Sequence, residues 1–336
     1  MVDQTDAALD AIEQAGVKLG AARAMVQRAI VGQRDVVDLS LAAILSGGHG
    51  LLVGAPGLAK TLLVETLGTV LGLNANRIQF TPDLMPSDIL GAEVLETASD
   101  GTRAFRFIEG PIFCQLLMAD EINRAGPRTQ SALLQAMQEK HVTVAGARRD
   151  LSPPFHVLAT QNPIEQEGTY PLPEAQLDRF LFQIDVDYPD RDEERAILLA
   201  TTGSANAHVE PVLSGAELIA MQALLREMPV GEQVVEAILD LVRSARPGSG
   251  EAGAELNEAV AWGPGPRAAQ ALMLGVRARA LLDGRLAPSI DDVSALAKPV
   301  LVHRMALNFG ARAEGASLPS IIDGLVSRRL GQPVAA

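Results

Sequence analysis

The 336-residue sequence holds a single cysteine, Cys114, so an internal disulfide is excluded. Cys114 lies in an apolar run just ahead of an expected strand and reads as a small core residue without chemistry of its own. Cationic side chains are in deficit: 28 Lys and Arg stand against 41 Asp and Glu, a formal charge of −13. This balance argues against a surface wrapped by duplex DNA, because nucleic-acid binding is led by phosphate neutralisation, though it leaves room for a local basic patch. No uninterrupted apolar stretch approaches the roughly 18 residues of a membrane span. The N-terminal Met-Val-Asp-Gln-Thr-Asp lacks the basic region and apolar core of a secretion signal, so a cytoplasmic address is expected. The histidines, His49, His141, His156, His208 and His303, show no ligand spacing with a carboxylate or cysteine cluster and are read as structural. Internal repeats and low-complexity tracts are missing too.

What is present is enough apolar material, 48% of residues, for two domains with real cores. The chain is organised around Gly50-Leu-Leu-Val-Gly-Ala-Pro-Gly-Leu-Ala-Lys-Thr61. Leu51 to Val53 form a short buried strand, Gly54 to Ala59 a loop whose backbone N–H groups turn inward, and Lys60-Thr61 the start of a helix. Such a P-loop suits a polyphosphate: Lys60 reaches the terminal phosphates and the Thr61 hydroxyl is placed for Mg²⁺. The strict pattern wants glycine at Ala59. Alanine is tolerated there if its φ is negative and already helical, whereas positive φ costs about 1 kcal/mol or more.

Helical spacing over 6–30, with a possible interruption at Gly16, gives an N-terminal arm, and 35–46 a second helix. Strands are expected over 77–80, 115–120, 155–160 and 180–186, and a helix over 127–139 that starts at a proline. Residues 89–108, with a polar tip at Ser99-Asp100-Gly101, and 141–153 read as hairpins. Strands alternating with helices predict a doubly wound parallel sheet whose ligand lies beyond the strands' carboxyl ends. Past Pro189 the strand signal stops, and helices over 191–200, 216–226, 232–245, 267–282 and 290–307 make a smaller, all-helical domain. The expected division is an arm over 1–34, a core over 35–195 and a helical domain over 205–330, with the boundary between Pro189 and Glu210.

The remaining chemistry lies at strand and helix ends. Leu116-Leu-Met-Ala-Asp-Glu121 is an apolar strand closed by two acids: Asp120 can hold Mg²⁺ through water, and Glu121 can polarise a water for in-line attack on a γ-phosphate. Ala159-Thr-Gln-Asn-Pro163 closes the next strand, where Asn162 can orient the same water or touch the γ-phosphate. Arg179, after Leu177-Asp178, is either half of a surface Asp-Arg pair or an arginine finger reaching a neighbour's γ-phosphate, an effect worth roughly 10³ to 10⁵ in rate. Arg267 stands in the first turn of a helix, against the dipole, which a phosphate partner would explain.

In this order the motifs resemble the AAA+ ATPases, and specifically the MoxR family. The likeness runs over nearly the whole chain and is carried by Ile30-Val-Gly-Gln33, Gly54 to Thr61, Asp120-Glu-Ile-Asn-Arg-Ala125, Ala159 to Pro163 and Glu174-Ala-Gln-Leu-Asp-Arg-Phe180. In that family alanine commonly precedes the P-loop lysine. The resemblance implies an α/β AAA+ core with a helical lid, ATP and Mg²⁺ as cofactors, and a homo-oligomeric, hexameric ring. Gly32 and Gln33 would lie near the adenine. Gly54, Ala55, Pro56, Gly57, Leu58, Ala59, Lys60 and Thr61 would bind phosphate, with Thr61 and Asp120 at the metal. Glu121, Asn162 and Arg179 would be catalytic, Arg179 for the adjacent subunit, while Arg267 would be sensor 2 and Arg124 would lie at the subunit interface. The two hairpins resemble inserts that usually face the pore or the client. The implied function is chaperone-like remodelling or activation of protein complexes, metalloenzymes among them, with a partner carrying a von Willebrand factor A domain. Alternatives are a magnesium-chelatase-like motor subunit, a DNA-acting AAA+ ATPase and an ATP-gated scaffold.

Overall fold

A computed structural model describes residues 2–97, 102–165, 168–202 and 208–331. The chain opens with helices α1 (Val2–Ala29) and α2 (Arg34–Leu45), then β1 (Gly50–Gly54), α3 (Lys60–Val70), β2 (Ala75–Gln79) and the short α4 (Pro86–Leu90). There follow β3 (Gly91–Thr97), β4 (Arg103–Glu109), β5 (Leu116–Asp120), α5 (Pro127–Glu139), β6 (His141–Val144), β7 (Ala147–Asp150), β8 (His156–Gln161), α6 (Glu174–Leu177) and β9 (Phe182–Val186). The rest is α7 (Arg191–Thr201), α8 (Gly215–Glu227), α9 (Glu232–Ser244), α10 (Ala254–Ala259), β10 (Val260–Trp262), α11 (Pro266–Leu282), α12 (Ile290–Leu301), β11 (Ala306–Leu307), α13 (Phe309–Ala313) and α14 (Leu318–Leu330).

Five strands form one parallel sheet in the order β2-β5-β8-β1-β9. Every side chain of β5 is buried, because its neighbours pair on both edges and helices cover both faces. The two-residue period of the strands sorts their side chains into separate cores. Leu52, Leu116, Met118, Leu158 and Phe182 pack with α1, α2, α3 and the C-terminal helices. Leu51, Leu117, Ala119, Val157 and Ala159 pack with α5 on the opposite face. The antiparallel hairpins β3–β4 and β6–β7 project from this body, and Arg149 of one lies 3.7 Å from the Phe107 ring of the other. The expected tip at Ser99-Asp100-Gly101 lies outside the described residues.

Several local expectations are corrected. Gly16 does not interrupt α1: a Cβ there would come within 2.9 Å of the Cα of Gly284, so glycine serves close packing inside a continuous helix. The C-terminal helices carry a short antiparallel ribbon, β10 with β11. The helix expected over 290–307 ends at Leu301, and residues Val302–Arg304 tighten into a 3₁₀ turn. The last strand of the main sheet begins at Phe182, because the chain before it turns through Arg179 and Phe180. The expected boundary between Pro189 and Glu210 lies partly outside the described residues. Among the described residues no helix is long and apolar enough to cross a membrane.

Candidate nucleotide site

Since the sheet is parallel, one edge collects the carboxyl ends of all five strands. β1 delivers the P-loop there. Gly54 passes so close to β9 that a Cβ would lie 2.4 Å from the carbonyl oxygen of Val186. Gly57 has φ +84°, and Ala59 has φ 56° and ψ 18° before Lys60 enters α3. Ala59 is therefore left-handed, contrary to the negative φ expected of an alanine, at a steric cost of about 1–2 kcal/mol. A left-handed residue followed by helical ones turns successive N–H groups into one concavity suited to an anion. The Lys60 ammonium donates to the carbonyls of Gly54 and Ala55, both at 2.7 Å. Burial pulls its pKa below the ordinary lysine value, and the nearby Asp120 and Glu121 carboxylates oppose that shift. Thr61 follows it, half-buried, in the first turn of α3.

β5 and β8 bring the acids and their supports to the same edge. Asp120 ends β5, and its Oδ1 accepts from the Thr160 hydroxyl at 2.6 Å while Oδ2 accepts from Arg77 at 2.6 Å. Glu121 turns left-handed at φ 55°, and its N–H donates to the same Thr160 oxygen at 2.8 Å. One buried hydroxyl thus spaces the two acidic residues. Glu121 Oε2 accepts from Gln79 and from Arg124, each at 2.8 Å. Arg124, expected at a subunit interface, is in this chain a partner of Glu121. Asn162, just past β8, is buried, and its Oδ1 accepts from the N–H of Ile164 at 3.1 Å.

Gly32 and Gln33 stand just ahead of α2 and meet the first turn of α7, which follows the carboxyl end of β9. Both are left-handed, at φ 71° and 51°. Glu193, in the first turn of α7, occupies this corner: its Oε1 accepts from the Gln33 N–H at 3.3 Å, and a Cβ on Gly32 would strike its carboxyl group.

Arg179 and Arg267 lie elsewhere. They share a cavity with Gly48, His49 and Leu181, residues that precede β1 and β9. The N–H of Leu181 donates to the carbonyl of His49 at 2.8 Å, which ties this segment to the amino edge of the sheet. The four residue rises of β1 place that edge roughly 13 Å from the P-loop. Arg267, expected as sensor 2 with a phosphate partner, stands in this cavity at the amino edge. Its guanidinium instead faces Asp178 Oδ2 at 3.6 Å, so a carboxylate answers the cation at the start of α11. Asp178 pairs with Arg304 and Arg267, not in a surface pair with Arg179.

Residues 49–182 match the model of the ATPase family associated with various cellular activities, and residues 254–324 that of the AAA lid domain. "Chaperone MoxR1" of Mycobacterium tuberculosis is 41% identical over 308 residues, 92% of this chain and 80% of that protein. The chain belongs to the MoxR family of AAA+ ATPases. Another relative of this MoxR-family chain, "Uncharacterized protein YeaC" of Bacillus subtilis, is 42% identical over 92% of this chain and 93% of its own length. A crystal structure of a protein proposed to be an ATPase, from Cytophaga hutchinsonii, superposes with a TM-score of 0.88 at 36% identity, covering 97% of this chain and 98% of the other. The sheet with its covering helices is thus an AAA+ core and the C-terminal helices its lid.

Sequence reasoning passed over Arg77, Gln79, Thr160 and Glu193. A signal existed for the first two. Once β2 pairs with β5 in parallel, Gln79 lies opposite Asp120 and Arg77 shares its face two residues back. Thr160 stands two residues before Asn162 in the same strand-end motif, and its residue type alone does not mark it out.

Proposed function

We propose that this MoxR-family chain hydrolyses ATP at sites completed between neighbouring copies of itself in a closed, hexameric ring. One observation carries the reading: Lys60, Asp120, Glu121 and Asn162 stand at the carboxyl edge of the sheet and Arg179 and Arg267 at its amino edge. Arginines so placed serve the site of the next copy, and a head-to-tail contact repeated by rotation closes into a ring.

A magnesium-bound triphosphate fits the residues present. The P-loop concavity around left-handed Gly57 and Ala59 is open, with nothing within 4 Å of a Cβ placed on Gly57. In our reading Gly54 to Thr61 hold the phosphates, and Gly32 and Gln33 hold the adenine. Thr61 and Asp120 would hold Mg²⁺, which when bound supplies positive charge against the polyphosphate. Lys60 exchanges its loop carbonyls for phosphate oxygens. Glu121, spaced from Asp120 by Thr160, takes the proton of a water that attacks the terminal phosphorus as the bond to the bridging oxygen breaks. Asn162 orients that water. Arg179 and Arg267 of the adjacent copy answer the charge that develops on the transferred group.

We further propose a division into an arm over 1–34, a core over 35–195 and a lid over 205–330, and a cytoplasmic place of work. The output we infer is remodelling of protein complexes, metalloenzymes among them, with a partner that carries a von Willebrand factor A domain. That the Mycobacterium relative is named a chaperone favours a chaperone role. So does the β3–β4 hairpin, which exposes Val94, Leu95, Phe105 and Ile108. ATPase rate per subunit, measured against protein concentration with mass in solution alongside, tests the shared site. It should rise as the ring assembles, and a rate independent of concentration in a monomer would refute the reading.

A further inference from the structure

One buried charge has no task in the reaction as described. Arg304 closes the 3₁₀ turn after α12, and its side chain is 3% exposed. Its Nε donates to Asp178 Oδ1 at 2.7 Å. One terminal nitrogen donates to the carbonyls of Leu181 and Val300, at 3.1 and 2.7 Å, and the other to those of Asp178 and Phe180, at 3.3 and 2.6 Å. The carbonyls of Asp178, Phe180 and Leu181 bracket Arg179 on both sides. The other oxygen of Asp178 faces Arg267. A guanidinium taken out of water is weak evidence for added stability, since apolar residues of like volume usually serve as well. The planar fork does what an apolar side chain cannot: it fixes several acceptors in one direction.

We propose that Arg304, acting with Asp178, is the positioning residue that locks Arg179 and Arg267 to the lid as one unit. The angle of the lid then sets whether the neighbour's site is complete. The inference rests on the proposed shared site. It makes the lid of one copy a controller of hydrolysis in the next copy, while the P-loop of its own chain is untouched.

Complementation separates these claims. Arg304→Met removes the fork at similar length, and Asp178→Asn removes only charge at a half-buried position, so it serves as the second variant if the first does not fold. Each variant would be mixed in equal amounts with Glu121→Gln and, separately, with Arg179→Ala, and ATPase rate and binding of a fluorescent ATP analogue followed. Alone, each variant should lose at least about tenfold in rate and bind nucleotide within about threefold of the parent. Mixing with Glu121→Gln should restore hydrolysis, because that copy supplies intact arginines to an intact P-loop. Mixing with Arg179→Ala should restore nothing. Recovery with Arg179→Ala, full activity of the variants alone, or no recovery with either from a folded Asp178→Asn would overturn the proposal. The control mixture of Glu121→Gln with Arg179→Ala judges the shared site itself: if it stays inactive that reading fails, and if it recovers only the role of Arg304 is in question.

Discussion

Thr160 shows how much a single hydroxyl arranges. It donates to the Asp120 carboxylate and accepts from the Glu121 N–H, so Thr160→Val keeps the shape and removes both links. The valine variant should unfold about 1–3 kcal/mol more easily in urea, because the Glu121 N–H loses its partner. Its turnover should drop about tenfold or more at nearly unchanged nucleotide affinity; unaltered turnover would remove Thr160 from the machinery. Ala59 allows a different test. Its φ of 56° strains any residue with a Cβ, whereas glycine accepts it but gains freedom in the unfolded chain. Ala59→Gly should leave the urea midpoint unchanged or raise stability by up to about 1 kcal/mol. A measurable loss of stability would contradict a left-handed Ala59. The chemistry of Lys60, Asp120 and Glu121 was legible from residue type and order alone. The backbone of Ala59 was not, since alanine is a good helix former and only the closed loop forces it out of the helical region.

Among the elements, the parallel strands were the most readable, because a strand buried on both faces is written as a short unbroken apolar run. The end of α12 was hidden: Val302 to Leu307 continue the apolar pattern, and what stops the helix is tertiary, the binding of Arg304 to the segment before β9. The hairpins were visible as patterns, while their contact through Arg149 and Phe107 was not. The amino ends of β1 and β8 are joined by two buried histidines. His49 hydrogen-bonds to the carbonyl of Met137 and accepts from the N–H of Val157. His156 meets the carbonyl of Gly48 and the side chain of Gln222 in α8. Burial lowers their pKa values to about 3 and about 4. The folded rings stay neutral while unfolded histidine takes a proton near pH 6.5, so the unfolded state binds more protons as pH falls below that value. Their contribution is complete above about pH 6.5 and fades toward pH 4. Between pH 7.5 and 5 each ring should cost on the order of 2 kcal/mol of stability, read from urea midpoints. His156→Gln should flatten the curve, and an equally steep curve in that variant would assign the loss to other groups.

At the scale of the whole molecule, the central fact is that the two halves of the proposed site lie at opposite edges of one sheet. That separation could not be read from the order of motifs, which sets Arg179 soon after Asn162 and does not say which edge of the sheet Arg267 reaches. It follows from strand direction: β8 ends at the P-loop edge, and the chain must return to the amino edge before β9 can run parallel to it. The lid arginine then falls beside the finger because α11 starts against Asp178. The most direct measurement is the ATPase rate of Glu121→Gln mixed with Arg179→Ala across all ratios at constant total protein. Each variant alone should be nearly inactive. If the site is shared, activity should follow the product of the two fractions and peak at an equal mixture, where about a quarter of the interfaces join an intact Glu121 to an intact Arg179. Verified mixed rings that remain inactive at every ratio would contradict the account.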